Sequence, residues 1–213
     1  PSDGSVTTIA NYAFRGQTEL KSFTVPHGIT TIRSDAFFDC TNLSSFHLSD
    51  TVTKLSPNFK NNFKSITTLP VDKNNPVYHS SGNCVIETAS KTLVRGCNTS
   101  TIPADGSVTS IGYSAFYYSG GLTDLTIPSA VSQIGSDCLR SCKDLKSVTI
   151  LKPDAQIDGG ANTLYGDVTI HGYAGSTAEA YAIKYNKTFA ALNPHICTYD
   201  QKVTADKYLS SAA

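Results

Sequence analysis

Val108-Thr-Ser-Ile-Gly-Tyr-Ser-Ala-Phe-Tyr-Tyr-Ser-Gly-Gly-Leu-Thr-Asp-Leu-Thr-Ile-Pro128 holds the pattern that decides the fold. Val108 to Ile111 reads as a short strand and Ala115-Phe116 as an apolar turn. Leu122 to Pro128 reads as a second strand, with Leu122, Leu125 and Ile127 facing inward and the residues between them facing out. Pro128 closes that strand where a missing N–H costs little, as Pro26 and Pro103 do elsewhere. One such stretch cannot bury its own apolar face. It needs copies of itself stacked on either side.

The copies are present. Val6-Thr-Thr-Ile9, Ile29-Thr-Thr-Ile32, Val52-Thr-Lys-Leu55 and Val131-Ser-Gln-Ile134 repeat the opening strand, and the steps 6 to 29, 29 to 52 and 108 to 131 are each 23 residues. Leu20, Leu43 and Ile66, then Leu122 and Leu145, step by the same interval. Ala13-Phe14, Ala36-Phe37 and Ala115-Phe116 mark a third register, replaced by Cys138-Leu139 in the last copy. Three registers at one period predict a β-rich solenoid of about 23-residue units, with short parallel strands lining a concave face.

One interval breaks the period: Ile66 to Leu122 is 56 residues. Cys97-Asn-Thr-Ser-Thr-Ile-Pro103 is expected to be the strand of that unit, with Cys97 at the leucine position. The excess lies at about 74–96. There Cys84-Val-Ile-Glu87 and Thr92-Leu-Val-Arg95 flank a four-residue loop and read as a β-hairpin that replaces the apolar turn of one unit and pairs Cys84 with Arg95. After Ile150 the pattern decays. Asp167 to His171 reads as a last strand, and Ser176-Thr-Ala-Glu179 is a capping box opening a short helix with Ala178, Tyr181, Ala182 and Tyr185 on one face. Residues 151–192 are assigned as the terminal cap, so that 1–192 form one solenoid and 193–213 a separate tail.

Composition narrows the function. Formal net charge is zero and charged residues are only 16%, which argues against nucleic acid and anionic membrane surfaces as partners. No apolar run approaches the roughly 18 residues of a membrane span. The chain begins at Pro1, contains no Met and shows no signal peptide, and reads as a piece of a longer protein, so the missing leader says nothing about location.

Of the six cysteines, Cys40 and Cys142 share one repeat position with Phe63, Cys138 sits at the Ala position and Cys97 at a strand position. Buried structural thiols are the main reading, and a Cys84–Cys97 bridge across the hairpin is the alternative. Cys197 beside His195 could join a metal site or disulfide only with partners beyond Ala213. No metalloprotease, nucleophile-elbow, phosphate-loop or calcium-loop pattern occurs; no catalytic, cofactor or metal residue is assigned, and no cofactor is expected.

The second and fourth residues after each strand leucine form the candidate binding face: Ser22, Thr24, Ser45, His47, Thr68, Pro70, Thr99, Thr101, Asp124, Thr126, Ser147 and Thr149. Two readings stand. The hydroxyls simply suit exposed strands, or they make a shallow polar groove for an extended peptide or a glycan. Aromatic anchors are missing from this face, so single contacts there would be weak unless the array is multivalent. Phe38, Tyr117 and Tyr118 follow the Ala-Phe pair and either pack between adjacent turns or form a convex patch.

Ile32-Arg-Ser-Asp-Ala-Phe37, Cys40-Thr-Asn-Leu43, Ile111-Gly-Tyr-Ser-Ala-Phe116 and Leu125-Thr-Ile-Pro128 together resemble the BspA-like leucine-rich repeats over about residues 6–192. Asn75-Pro-Val-Tyr78 through Cys97 is similar to inserts in such proteins from gut bacteria, and Gly172 to Tyr181 looks like their terminal cap. The tail from His195 resembles the start of a small Cys-rich module, cut short. Ser119 and Gln17 depart from the pattern where Cys is usual. The resemblance implies a leucine-rich-repeat solenoid from a bacterial surface or secreted protein, monomeric, non-enzymatic, and adhesive toward a host, matrix or neighbouring-cell protein or glycan. It also admits an architectural spacer or an accessory domain beside an extracellular enzyme. It fixes no binding residue.

Overall fold

A computed structural model of the chain describes residues 4–56 and 64–193. The readings that involve Phe63, and the tail with His195 and Cys197, lie outside them. Two kinds of short strand alternate in the first three coils: β1 (Thr8–Ile9), β2 (Ser22–Thr24), β3 (Thr31–Ile32), β4 (Ser45–His47) and β5 (Lys54–Leu55). A meander follows, β6 (Tyr78–Ser81), β7 (Cys84–Glu87) and β8 (Thr92–Arg95). The alternation then resumes with β9 (Ser110–Ile111), β10 (Asp124–Ile127), β11 (Gln133–Ile134), β12 (Ser147–Ile150), β13 (Gln156–Ile157) and β14 (Thr169–Gly172), before helix α1 (Thr177–Lys184) and β15 (Phe189–Ala191).

Outside the meander, strands pair in parallel with their counterparts one coil away. Thr8, Thr31 and Lys54 align, as do Ser22 and Ser45, and as do Asp124, Ser147 and Thr169. The sequence register holds: β10 alternates exposed and buried, with Leu125 and Ile127 inside and Asp124 and Thr126 outside. The abundant hydroxyls stitch coil to coil. Thr30, Ser44, Thr67 and Ser132 each donate a side-chain hydrogen bond to a main-chain oxygen 23 residues earlier, at 3.0 to 3.3 Å.

The turn that carries Ala-Phe contains two left-handed residues. Tyr12, Asp35, Ser114 and Asp137 hold the first place, and Gly16, Asp39, Tyr118 and Ser141 the second. Side chains rarely adopt this conformation, so its recurrence shows that the stack dictates it. Main-chain bonds tie each turn to the next: Phe14 N–H to Ala36 O at 2.8 Å, and Gly16 N–H to Phe38 O at 2.8 Å.

The meander corrects two expectations. The insertion has three strands, not two: β6 pairs antiparallel with β7 through the tight turn Gly82-Asn83, both left-handed. A bulge between Val85 and Ile86 then sets Val85, and not Cys84, opposite Arg95. The expected strand 97–103 is also missing. Ser100 closes a turn instead, its N–H bonding Cys97 O at 3.2 Å while its hydroxyl accepts from Cys97 N–H at 2.8 Å.

β7 is buried on both sides and separates two apolar cores. Val85 packs with the N-terminal core, which takes in Ile9 to Leu69 together with Tyr78 and Cys97, while Cys84 and Ile86 pack with the C-terminal core, which runs to Ala182. The meander also carries a substitute for the missing turn. β8 pairs with β9 as an ordinary entry strand would, but the chain then reaches Cys97 with no Ala-Phe turn between. Two oxygens of the next turn thereby lose their usual donors. Gly96 N–H bonds Ala115 O at 2.9 Å, and the Arg95 guanidinium bonds Tyr117 O at 2.9 Å and Ala115 O at 3.4 Å. Arg95 is wholly buried, and Gly96 has no room for a Cβ, which would stand 2.0 Å from the Phe116 ring.

The stretch assigned to the cap contains a further coil before it, since β13 extends the β11 sheet and β14 extends the β12 sheet. Helix α1 and β15 then close the stack. Ser176 caps α1 by accepting from Glu179 N–H, and Glu179 reaches back to Gly175 N–H at 2.6 Å. Ala178, Tyr181 and Ala182 are buried beneath it, and Tyr185 is partly buried.

Candidate binding face

The predicted face residues fall into two patches. In the first, Ser22, Ser45 and Thr68 are adjacent across coils, and Thr24 stands beside His47. In the second, Asp124 aligns with Ser147 and Thr126 with Thr149. The further coil extends this patch with Thr169 and His171, which the fading leucine pattern after Ile150 concealed. Thr99 and Thr101 belong to neither ladder, because the turn at Cys97–Ser100 removes their strand. Both residues remain exposed, but the Thr99 hydroxyl is engaged, donating to Thr67 O at 2.6 Å.

The tip of the meander fills the space between the patches. Asn83 accepts from Leu69 N–H at 2.9 Å, donates to Thr99 Oγ1 at 2.6 Å and also donates to Thr67 O. Gly82 O accepts from Thr101 N–H at 2.8 Å. A single side chain thus replaces part of a strand. The Gly-Asn pair between polar neighbours was the one sequence signal for this turn.

Charge is sparse on the face. Asp124 is an exposed carboxylate held below its ordinary value by hydrogen bonds from Ser147, at 2.6 Å, and from Thr123. His27 meets Asp50 at 2.9 Å at the edge of the first patch. Among the described residues no group of three or more His, Cys, Asp or Glu side chains converges as metal ligands would, and no helix is long and apolar enough to cross a membrane. On the turn side, Arg15 lies 5.5 Å from the Tyr12 ring centre and 5.4 Å from that of Phe38. Phe38, Tyr117 and Tyr118 are half-buried there.

The cysteines among the described residues are core residues. Cys40, Cys84, Cys97, Cys138 and Cys142 are all buried free thiols. Cys40 donates to Phe14 O and Cys142 to Phe116 O, both at 3.0 Å and both 26 residues back. That shared bond explains the position: the thiol satisfies an oxygen of the preceding turn. Ser119 occupies the same place but follows the coil that lacks the turn, and its buried hydroxyl has no partner among the described residues. Ser119→Ala is therefore expected to raise stability by about 1 kcal/mol, read as a higher urea midpoint. A lower midpoint would mean that the hydroxyl is satisfied.

Burial pushes the Cys84 thiol up to about 12 and the Cys142 thiol up to about 11, from an ordinary 9.0. The folded chain keeps these protons where the unfolded chain releases them. Their contribution is complete below pH 9 and is lost as pH rises from 9 to about 12. At pH 10 each thiol is expected to have cost about 1.4 kcal/mol relative to neutral pH. Burial lowers Arg95 to about 10, which acts in the opposite sense but only above that pH. Urea unfolding at pH 8 and pH 10 checks this: the double variant Cys84→Ala, Cys142→Ala should show a flatter alkaline loss. An unchanged slope would rule the thiols out as its source.

Comparisons agree with this architecture. The profile described as BspA type Leucine rich repeat region matches residues 2–94 and 86–161, with six copies. No curated protein matches. Among solved structures, a leucine-rich repeat protein from Bacteroides ovatus is similar at 18% identity and a TM-score of 0.53, over 89% of this chain and 46% of that one. A leucine rich cell surface protein from Faecalibacterium prausnitzii is similar at 16% identity and a TM-score of 0.47, over 86% of this chain and 63% of that one. A leucine-rich repeat protein from Eubacterium ventriosum is similar at 20% identity and a TM-score of 0.47, over 72% and 49%. The chain spans between 46% and 63% of the length of these three proteins.

Proposed function

Since the chain belongs to the BspA-type leucine-rich repeat family, we propose that it is a recognition module, displayed on a bacterial surface or secreted, that binds an extracellular protein or glycan. The observation that carries this reading is the outward-facing polar ladder, exposed at Ser22, Thr24, Thr68, Asp124 and Thr126 and half-buried at the others. Ser22, Thr24, Ser45, His47 and Thr68 on one patch, and Asp124, Thr126, Ser147 and Thr149 on the other, present side chains on a frame whose positions the coil register dictates. Thr101 adds a hydroxyl between them, beside the Thr99 hydroxyl that is bonded within the fold. A rigid backbone that presents small polar groups at regular spacing suits a long partner better than a compact one, and repetition compensates for weak single contacts. The chain is taken to act as a monomer.

An array of glycans and purified matrix proteins, probed with the protein, tests the reading. Binding is expected to weaken when His47→Ala or Asp124→Ala alters either patch. Uniform absence of binding, or binding that neither variant changes, would leave a spacer that holds other domains apart.

A further inference from the structure

Among the described residues, the sheet that starts at β10 has no strand on the side facing the N-terminus. We propose that this open edge takes an extended peptide of a partner protein by strand addition, with a lysine or arginine set against Asp124. The proposal deepens the recognition reading and rests on it.

Coil geometry says which groups are open. Elsewhere in the stack, outward residues turn their main-chain groups to the coil before: Thr68 O and Pro70 O each accept from the preceding coil, from Phe46 and Leu48 N–H at 3.0 Å, and Thr68 N–H donates to Ser44 O at 3.2 Å. By the same register the N–H and C=O of Asp124 and Thr126 face the fourth coil. That coil does not answer them. Ser100 N–H, which the register sets against Asp124 O, turns back to Cys97 O, and Thr101 N–H goes to Gly82 O. The fourth coil is thus bound to the meander tip on one side and gives β10 no bond on the other.

A groove of about 390 Å³ lies between the two coils. Thr101, Ile102 and Ala104 form one wall, and Asp124 and Thr126 the other. A row of main-chain donors and acceptors along four residues of strand is matched by another extended backbone. Sugars bind best against aromatic rings, and none lines this groove. A second copy of the chain would bring two Asp124 carboxylates onto one short shared edge. A cationic peptide is attracted by the same charge, which Lys146 nearby offsets in part.

Amide hydrogen exchange on the whole chain, resolved by residue, tests this without and with a probe. The probe is an acetylated, amidated eight-residue peptide of alternating valine and lysine. In the free protein the Asp124 and Thr126 amides are expected to exchange at least about a hundredfold faster than Thr149, which is paired. Saturating peptide should slow both. The same peptide N-methylated at alternate amides should protect neither, and Asp124→Asn should weaken the unmodified peptide about threefold to fivefold.

Slow exchange of these amides in the free protein at low concentration would overturn the proposal, because the edge would already be paired. So would peptide binding that leaves them unprotected. Protection that grows with protein concentration alone would assign the edge to a second copy instead. A matrix or glycan partner that binds while these amides stay open sinks the groove and leaves the recognition reading standing. Peptide protection with a silent array keeps the groove and sinks the broader reading.

Discussion

Arg95→Ala is expected to cost about 2–5 kcal/mol, because it empties a buried site and leaves a buried main-chain oxygen without its donor. The guanidinium reaches Tyr117 O and Ala115 O from the coil in which the meander stands in place of the Ala-Phe turn. Alanine would leave a void the size of that side chain and strip Tyr117 O of its donor. Arg95→Met separates these effects. It fills the space and abolishes the bonds, so its cost should fall to about 1–3 kcal/mol, the penalty of a buried oxygen left without a partner. Urea unfolding, followed by tyrosine fluorescence because the chain has no Trp, gives both values. If Arg95→Ala stayed within 1 kcal/mol of wild type, the guanidinium would be an occupant of the gap and not its support.

Phe37→Ala should be comparably severe, about 3–5 kcal/mol. Phe37 is wholly buried, stacks on Phe14 with ring centres 5.0 Å apart and meets Phe23 and Phe46 at 4.8 and 4.9 Å. Phe14 holds the same repeat position one coil earlier, yet it is only partly buried because no described coil covers it. Phe14→Ala is therefore expected to cost clearly less, about 1–2 kcal/mol, in proportion to the area it buries. Equal losses for the two would mean that stacking, and not the repeat position itself, has been given too much weight.

The repeating part of the fold was legible because its causes are periodic. Leu20, Leu43 and Ile66 recur at fixed spacing for the same reason that their coils align. The insertion was legible only in outline. Tyr78-His-Ser-Ser81 lacks the apolar alternation that marks a strand, and β6 exists because β7 offers it an edge. Cys97 to Pro103 has the right alternation but loses its strand to a hydroxyl: Ser100 holds the turn closed. Arg95 was concealed for a different reason. A charged residue at a strand end reads as exposed, and only the missing turn, seen in three dimensions, explains why it is inside. The candidate face follows the same division. Its two patches were readable from the leucine register. The gap between them was not, because it arises from contacts between segments far apart in sequence, Thr101 with Gly82 and Asn83 with Leu69.

The wall formed by β7 also bears on how the molecule meets mechanical load. A uniform stack pulled from its two ends should peel one coil at a time, each loss exposing the next. Here the apolar interior is divided, with Val85 on one side and Cys84 and Ile86 on the other. A front of rupture travelling from the N-terminal end arrives at a barrier already sealed by hydrogen bonds and side chains of its own. The C-terminal coils would then hold as a separate body while the first ones are extended, so that the chain lengthens under tension in two stages and keeps half of its surface intact through the first.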